Sequence, residues 1–293
     1  MSSSAGPVAG AWVAAGIATV ILILRFVAKT RIHHVRADDF VMLLALVLAI
    51  IATVLLTVAV HYGFGKSSAN IGLAHQIEVM KFATVLQAFL IVATGVGRCA
   101  FILYLLGIVG TERKHWLILW FFIALQIIIN GISVILMFTQ CPDIRALWNP
   151  EYSTGCLPAS VQRDYAVVQT CKACLDQAIK KPANISPRSS PALNSFTDLY
   201  LAVFPLFKFW SLNLRLPVKI SLIFLLSLGL LAMFASIGRT IELSKLESFT
   251  DGTRQLVPLA GWTIAECYLI IITGSLPCLR SLRRTSYAIE VTD

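Results

Sequence analysis

Charge is what this sequence has least of. Only 13% of its 293 residues are Asp, Glu, Lys or Arg, about half the share of an ordinary soluble domain. Acidic residues are the scarcer sign, 15 against 24 basic ones. A soluble chain this poor in charge could not cover its surface; lipid is the solvent that removes the need. Also missing are a Walker loop, a GxGxxG turn, a nucleophile elbow and an HExxH pair. Phosphate cradling, dinucleotide binding, serine-hydrolase chemistry and zinc-protease chemistry therefore have no local signature. No basic stretch is interleaved with aromatics, so nucleic acid is not an expected partner despite a formal net charge of +9. The last apolar run contains no Lys. A retinal Schiff base needs a Lys amine inside the bundle, and Lys81, at the start of the third apolar run, is a poor substitute. Photochemistry is not expected, nor is any cofactor. No cleavable leader is evident, since residues 1–10 are small and uncharged and the apolar run that follows is long enough to remain as a span.

What is present is apolar length. Hydrophobic residues make up 57% of the chain, and the mean hydropathy is +0.79. A crossing needs about 20 mostly apolar residues. Windows of that kind cover 8–26, 40–60, 82–108, 117–138, 192–207, 220–240 and 257–279, the fifth being short. The fold class implied is all-α, a seven-transmembrane helix bundle forming a single domain over 1–284, with a short cytoplasmic tail at 285–293.

Sidedness follows from Lys and Arg in the connections. One set of flanks holds Arg25, Lys29, Arg31, Arg36, Arg113, Lys114, Lys208, Arg215, Lys219, Arg280, Arg283 and Arg284; the other, leaving out the segment 171–191, holds Lys66, Lys81, Arg145, Arg163, Lys245 and Arg254. Twelve against six places the richer set in the cytoplasm and the N-terminus outside. Trp12, Trp148 and Trp262 fall near the outer ends and Trp116, Trp120 and Trp210 near the inner ends, which suits an indole's preference for the headgroup zone.

One segment does not fit. Residues 171–191 read CKACLDQAIKKPANISPRSSP, polar and proline-rich. Joined without them, YAVVQT and ALNSFTDLYLAVFPLF have the length of one span. Unpaired polar backbone in lipid costs several kcal/mol per group, so the stretch does not belong in the bilayer. It is either a translated intron or a long outer loop that leaves the fifth span short.

Four ionisable residues lie well inside the windows: Arg98, Asp198, Arg239 and Glu266. Each is expensive facing lipid and is expected in the bundle interior. Depth along the windows sets Arg239 against Glu266 and Arg98 against Asp198. Such pairs either fix helix packing or line a ligand pocket. Cys141 and Cys156 bracket the connection after the fourth span on the outer, oxidising side, where a disulfide is expected. Cys171 and Cys174 form a CxxC without a second pair or a His cluster, and Cys99, Cys267 and Cys278 read as small apolar residues. His33 and His34, next to Asp38 and Asp39, read as a solvated polar turn in preference to a metal site. The glycines of HYGFGK suggest a tight outer turn after the second span. Asn184-Ile185-Ser186 is a glycosylation sequon inside the odd segment.

From about Arg25 to Arg284 the chain resembles the fungal rhodopsin-domain integral membrane proteins. The resemblance is carried by RFVAKTRIHHVRADDF, VAVHYGFGK, QCPDIRALWNP with the later Gly155-Cys156, FTDLYLAVFP, SIGRT and AECYLIIITGSLPCLRSL, in that order. The family usually has Lys at the position of Arg98 and often His at that of Ser67, and its pattern runs straight across the 171–191 segment. The resemblance implies a seven-helix, receptor-like protein without the retinal Lys, with a connection to secondary metabolism. The reading is accordingly a receptor-like or sensory multi-pass protein of the plasma membrane or an endomembrane. Its partners would be lipid and a lipophilic small molecule; the sequence points to no particular cytoplasmic partner. The alternative is a membrane enzyme, a cyclase or isomerase, with Asp198 or Glu266 as the general acid. A transporter is the weakest reading, since no inverted repeat or pair of broken helices is evident.

Overall fold

The computed structural model describes residues 5–31, 36–66, 72–109, 113–139, 141–149 and 256–290, together with 234, 235 and 238. Five long helices run through them: α1 (Ala5–Arg31), α2 (Ala37–His61), α3 (Leu73–Val109), α4 (Arg113–Thr139) and α5 (Leu256–Glu290). All five are long and apolar enough to cross a membrane. They correspond to the first four apolar windows and the last. The fifth window, most of the sixth and the 171–191 segment lie outside the described residues; Phe234, Ala235 and Gly238, within the sixth, are helical.

Every helix overruns its window, two of them by more than two turns. α3 begins at Leu73, not 82, and α5 continues to Glu290, past 279. The extra turn pair of α3 reads LAHQIEVMK, rich in residues with good helix propensity. Bilayer thickness limits the apolar stretch, not the helix: 37 residues rise roughly 55 Å, well beyond a hydrocarbon core of about 30 Å.

α1, α3 and α5 run in one direction, and α2 and α4 in the other. At one end, called the basic end below, Arg25 of α1 meets the start of α2 and the lower part of α5. At the opposite end Trp12 of α1 donates to Thr57 of α2 at 3.1 Å. Phe101, Ile102 and Leu105 of α3 pack on Leu119, Phe122 and Ile123 of α4, the last part of one helix against the first part of the next. α4 thus ends, and α5 begins, at the end opposite the basic one.

The interior is built for close approach. Ala11, Ala15 and Ala18 of α1 and Ala45, Ala49, Ala52 and Ala59 of α2 are buried, while Val13, Ile17, Val20, Leu44, Phe121 and Ile127 point outward. Small residues inside and bulky ones outside is the arrangement lipid favours, because helix association there depends on packing and not on hiding apolar surface. Glycines serve the same end. A Cβ on Gly95 would stand 2.9 Å from Asn130 of α4, and one on Gly238 would stand 2.9 Å from the Trp262 ring of α5.

The HYGFGK turn closes α2. Phe64 N–H donates to Ala59 O at 2.9 Å and Gly63 N–H to Val60 O at 3.1 Å, the paired bonds of a Schellman cap. Gly63 has φ 112° and Gly65 φ 90°, values that only glycine adopts readily. The cap buries Phe64 and sets Tyr62 flat on Phe82 of α3, ring centroids 5.4 Å apart. Gly63→Ala is expected to cost about 1–2 kcal/mol, read as a lowered Tm of the purified protein. An unchanged Tm would show that the cap does not depend on this backbone conformation.

Candidate functional site

The centre of the bundle holds an ion pair. Arg98 Nη2 donates to Glu266 Oε1 at 2.5 Å, and both side chains are buried. Arg98 and Glu266 each stand near the middle of their apolar windows, 82–108 and 257–279, and Glu266 lies eight residues before Gly274, whose carbonyl meets Arg25 at the basic end, roughly 12 Å inward at about 1.5 Å per residue. The sequence sets Glu266 against Arg239 and Arg98 against Asp198; those two pairings fall on Arg239 and Asp198, which lie outside the described residues.

Polar groups on the neighbouring helices continue inward from this pair. The Thr53 hydroxyl of α2 and the Tyr268 hydroxyl of α5 are 2.7 Å apart, and Tyr268 also reaches Ala49 O at 3.2 Å. On α4, Asn130 Nδ2 donates to Gln126 O at 2.8 Å and to Gln126 Oε1 at 2.9 Å, with Gln126 buried. Gly95, one turn from Arg98, is what lets Asn130 lie against α3. Four helices therefore contribute hydrogen-bonding groups to an interior otherwise made of aliphatic residues. Chemically, such a site offers a fork of guanidinium donors, a carboxylate and amide and hydroxyl groups to a molecule that enters from lipid.

A second charged cluster closes the basic end. Arg25 donates from Nε to Asp39 Oδ1 at 2.7 Å, from Nη2 to Asp38 Oδ2 at 2.5 Å and from Nη1 to the Gly274 carbonyl of α5 at 2.7 Å. Lys29, one turn later, donates to Asp38 Oδ2 at 3.0 Å and to Asp39 at 2.7 Å. The Arg25 guanidinium also lies 5.7 Å from the centroid of the Tyr104 ring of α3. Asp39 reaches back to the Arg36 N–H at 3.1 Å, and its own N–H donates to Arg36 O at 3.0 Å, capping α2. Two carboxylates in the first turn also suit the positive end of the helix dipole.

This cluster corrects the sequence reading of the loop. Arg25 and Lys29 were counted as free cytoplasmic cations, and Asp38 and Asp39 as part of a solvated turn; all four are buried. The signal was available: cations four residues apart at the end of α1, and two adjacent acids at the start of α2, balance in number and share one end of the bundle. His33 and His34 lie outside the described residues.

Among the cysteines, Cys141 is disulfide-bonded, and Cys156 lies outside the described residues, as do Cys171 and Cys174. Cys99 and Cys267 are free thiols, next in sequence to Arg98 and Glu266. Among the described residues no group of three His, Cys, Asp or Glu is placed to hold a metal ion.

Compared with known families, residues 24–285 match the one described as Fungal rhodopsin domain. No curated protein and no solved structure matches the chain.

Proposed function

The chain belongs to the fungal rhodopsin domain family and is a multi-pass helical membrane protein; from that premise we propose that it is a receptor-like or sensory protein answering to a lipophilic small molecule and not to light. The observation that carries this reading is the Arg98–Glu266 pair. An ion pair at the middle of a bilayer is costly, and in membrane proteins such groups mark ligand and ion sites more often than they serve packing alone. The polar groups of Thr53, Tyr268, Gln126 and Asn130 support it, because they add directional hydrogen-bonding groups to the interior of the bundle. The ligand would be of the secondary-metabolite kind that the family resemblance suggests.

The enzyme reading is less well supported. For Glu266 to act on a substrate, its carboxylate would have to leave the Arg98 guanidinium, which holds Oε1 at 2.5 Å.

Seven spans, with the N-terminus outside, are part of the proposal. α4 ends and α5 begins at the same end of the bundle, an arrangement that two crossings by the chain between them would fit. The apolar windows at 192–207 and 220–240 would supply the two. With Arg25 and Lys29 neutralised by Asp38 and Asp39, the surplus of positive charge at the basic end falls to the remaining Lys and Arg there, which still favours the cytoplasm. A reporter fused after Asp293 should therefore read as cytoplasmic; an extracellular signal overturns the sidedness.

The function itself is tested with a deletion strain profiled for metabolites and for responses to surfaces and added lipophilic compounds. Loss of a response supports the receptor reading. Loss of one metabolite with accumulation of its precursor supports the enzyme.

A further inference from the structure

Pro277 stands in the interior of α5, far from both Leu256 and Glu290. Proline has no amide N–H, so the Thr273 carbonyl has no intrahelical donor four residues on. Three further features weaken the same turn. Gly274 has the lowest helix propensity after proline. The Thr273 hydroxyl is buried and has no hydrogen-bond partner among the described residues. Where a Cβ would be on Gly274, the Met42 methyl of α2 lies 2.6 Å away, so a neighbouring helix is wedged against backbone and not against a side chain. Sharp bends in helices concentrate at such Gly and Pro positions.

What ties this turn down comes from another helix. The Gly274 carbonyl accepts from Arg25 Nη1 at 2.7 Å. Arg25 is itself held by Asp38 and Asp39. Those carboxylates have a second cation, because Lys29 Nζ reaches Asp39 at 2.7 Å and Asp38 at 3.0 Å. The contact to Gly274 can therefore break while both carboxylates remain paired. One guanidinium serves three acceptors, and the neutral carbonyl is the weakest of them.

We propose that the Gly274–Pro277 turn is a hinge in α5 and that Arg25, anchored by Asp38 and Asp39, is the latch that holds it, so that the segment beyond Pro277 swings as a unit when the Arg25–Gly274 bond opens. The segment that moves carries Arg280, Arg283 and Arg284. The inference stands apart from the receptor reading, since it concerns how one helix bends and not what triggers it.

The test uses the full chain in lipid nanodiscs. Spin labels are carried by unnatural residues at Ser286 and Trp116, which leaves the native cysteines untouched. Arg25→Lys keeps the charge of the cluster but removes the fork that reaches Asp38, Asp39 and Gly274 together. It should broaden the distance distribution or add a second population. Adding Pro277→Ala restores the donor to Thr273 and should narrow the distribution again. An unchanged distribution in Arg25→Lys, or a broadening that Pro277→Ala does not reverse, overturns the proposal. Backbone hydrogen exchange on chains that keep Arg25 covers the case in which Arg25→Lys does not fold. Amides of residues 274–282 should exchange roughly tenfold faster in the wild-type chain than in Pro277→Ala; equal rates overturn the hinge.

Discussion

Glu266→Gln or Arg98→Met alone should each lower the stability of the purified protein by about 3–5 kcal/mol, while the double change should lose much less. The reason is the environment of the pair. Both side chains are almost completely withdrawn from solvent, at 0% and 3% exposure, so removing one partner takes a countercharge from the other in a medium that solvates it poorly. Removing both takes the two charges away together and leaves shapes that still fill the space. Denaturant unfolding in bicelles, run as a double-mutant cycle, measures all three. Additive losses, or single losses below about 1 kcal/mol, would mean that the pair is not a buried unit.

Asp39→Asn should destabilise the basic end by a similar amount, about 3–5 kcal/mol. Asp39 accepts from Arg25, from Lys29 and from the Arg36 N–H, and is 1% exposed. An amide in its place leaves Arg25 and Lys29 facing the single carboxylate of Asp38, and also weakens the cap of α2. Lys29→Met added to Asp39→Asn restores one cation to one carboxylate and should recover a large part of the loss. Asp38→Asn should cost less, because the cap bonds of Arg36 remain. Thermal unfolding of the four chains decides it; equal Tm values for Asp39→Asn with and without Lys29→Met would rule out charge balance as the cause.

Much of the architecture was legible because lipid imposes one rule on every span: an apolar stretch of bilayer length. The windows at 8–26, 40–60, 82–108, 117–138 and 257–279 each lie inside a helix. Helix ends were not legible, because a helix leaving the bilayer needs only residues that tolerate water, as 73–81 of α3 do. The candidate site was legible in its members. Arg98 and Glu266 stood out as charges in apolar runs; that they meet each other depends on the depth and rotation of α3 and α5, which apolar length leaves open. The latch at the basic end was hidden for another reason. Counting Lys and Arg in loops treats every cation as solvated, and nothing in that count separates Arg25, buried against Asp38 and Asp39, from Arg31, which is exposed. The turn after α2 was the easiest local feature, since two glycines two residues apart have few other uses at a helix end, and both have positive φ.

The most direct test of the central claim, that the Arg98–Glu266 pair is a site of function and not only of packing, is complementation of the deletion strain with the Arg98→Met/Glu266→Gln double variant. Expression at the membrane and Tm are measured beside the lost response. The account predicts a chain that reaches the membrane, unfolds near the wild-type temperature and fails to restore the response. A double variant that restores the full response at wild-type abundance would contradict it, and would reduce the pair to a packing device.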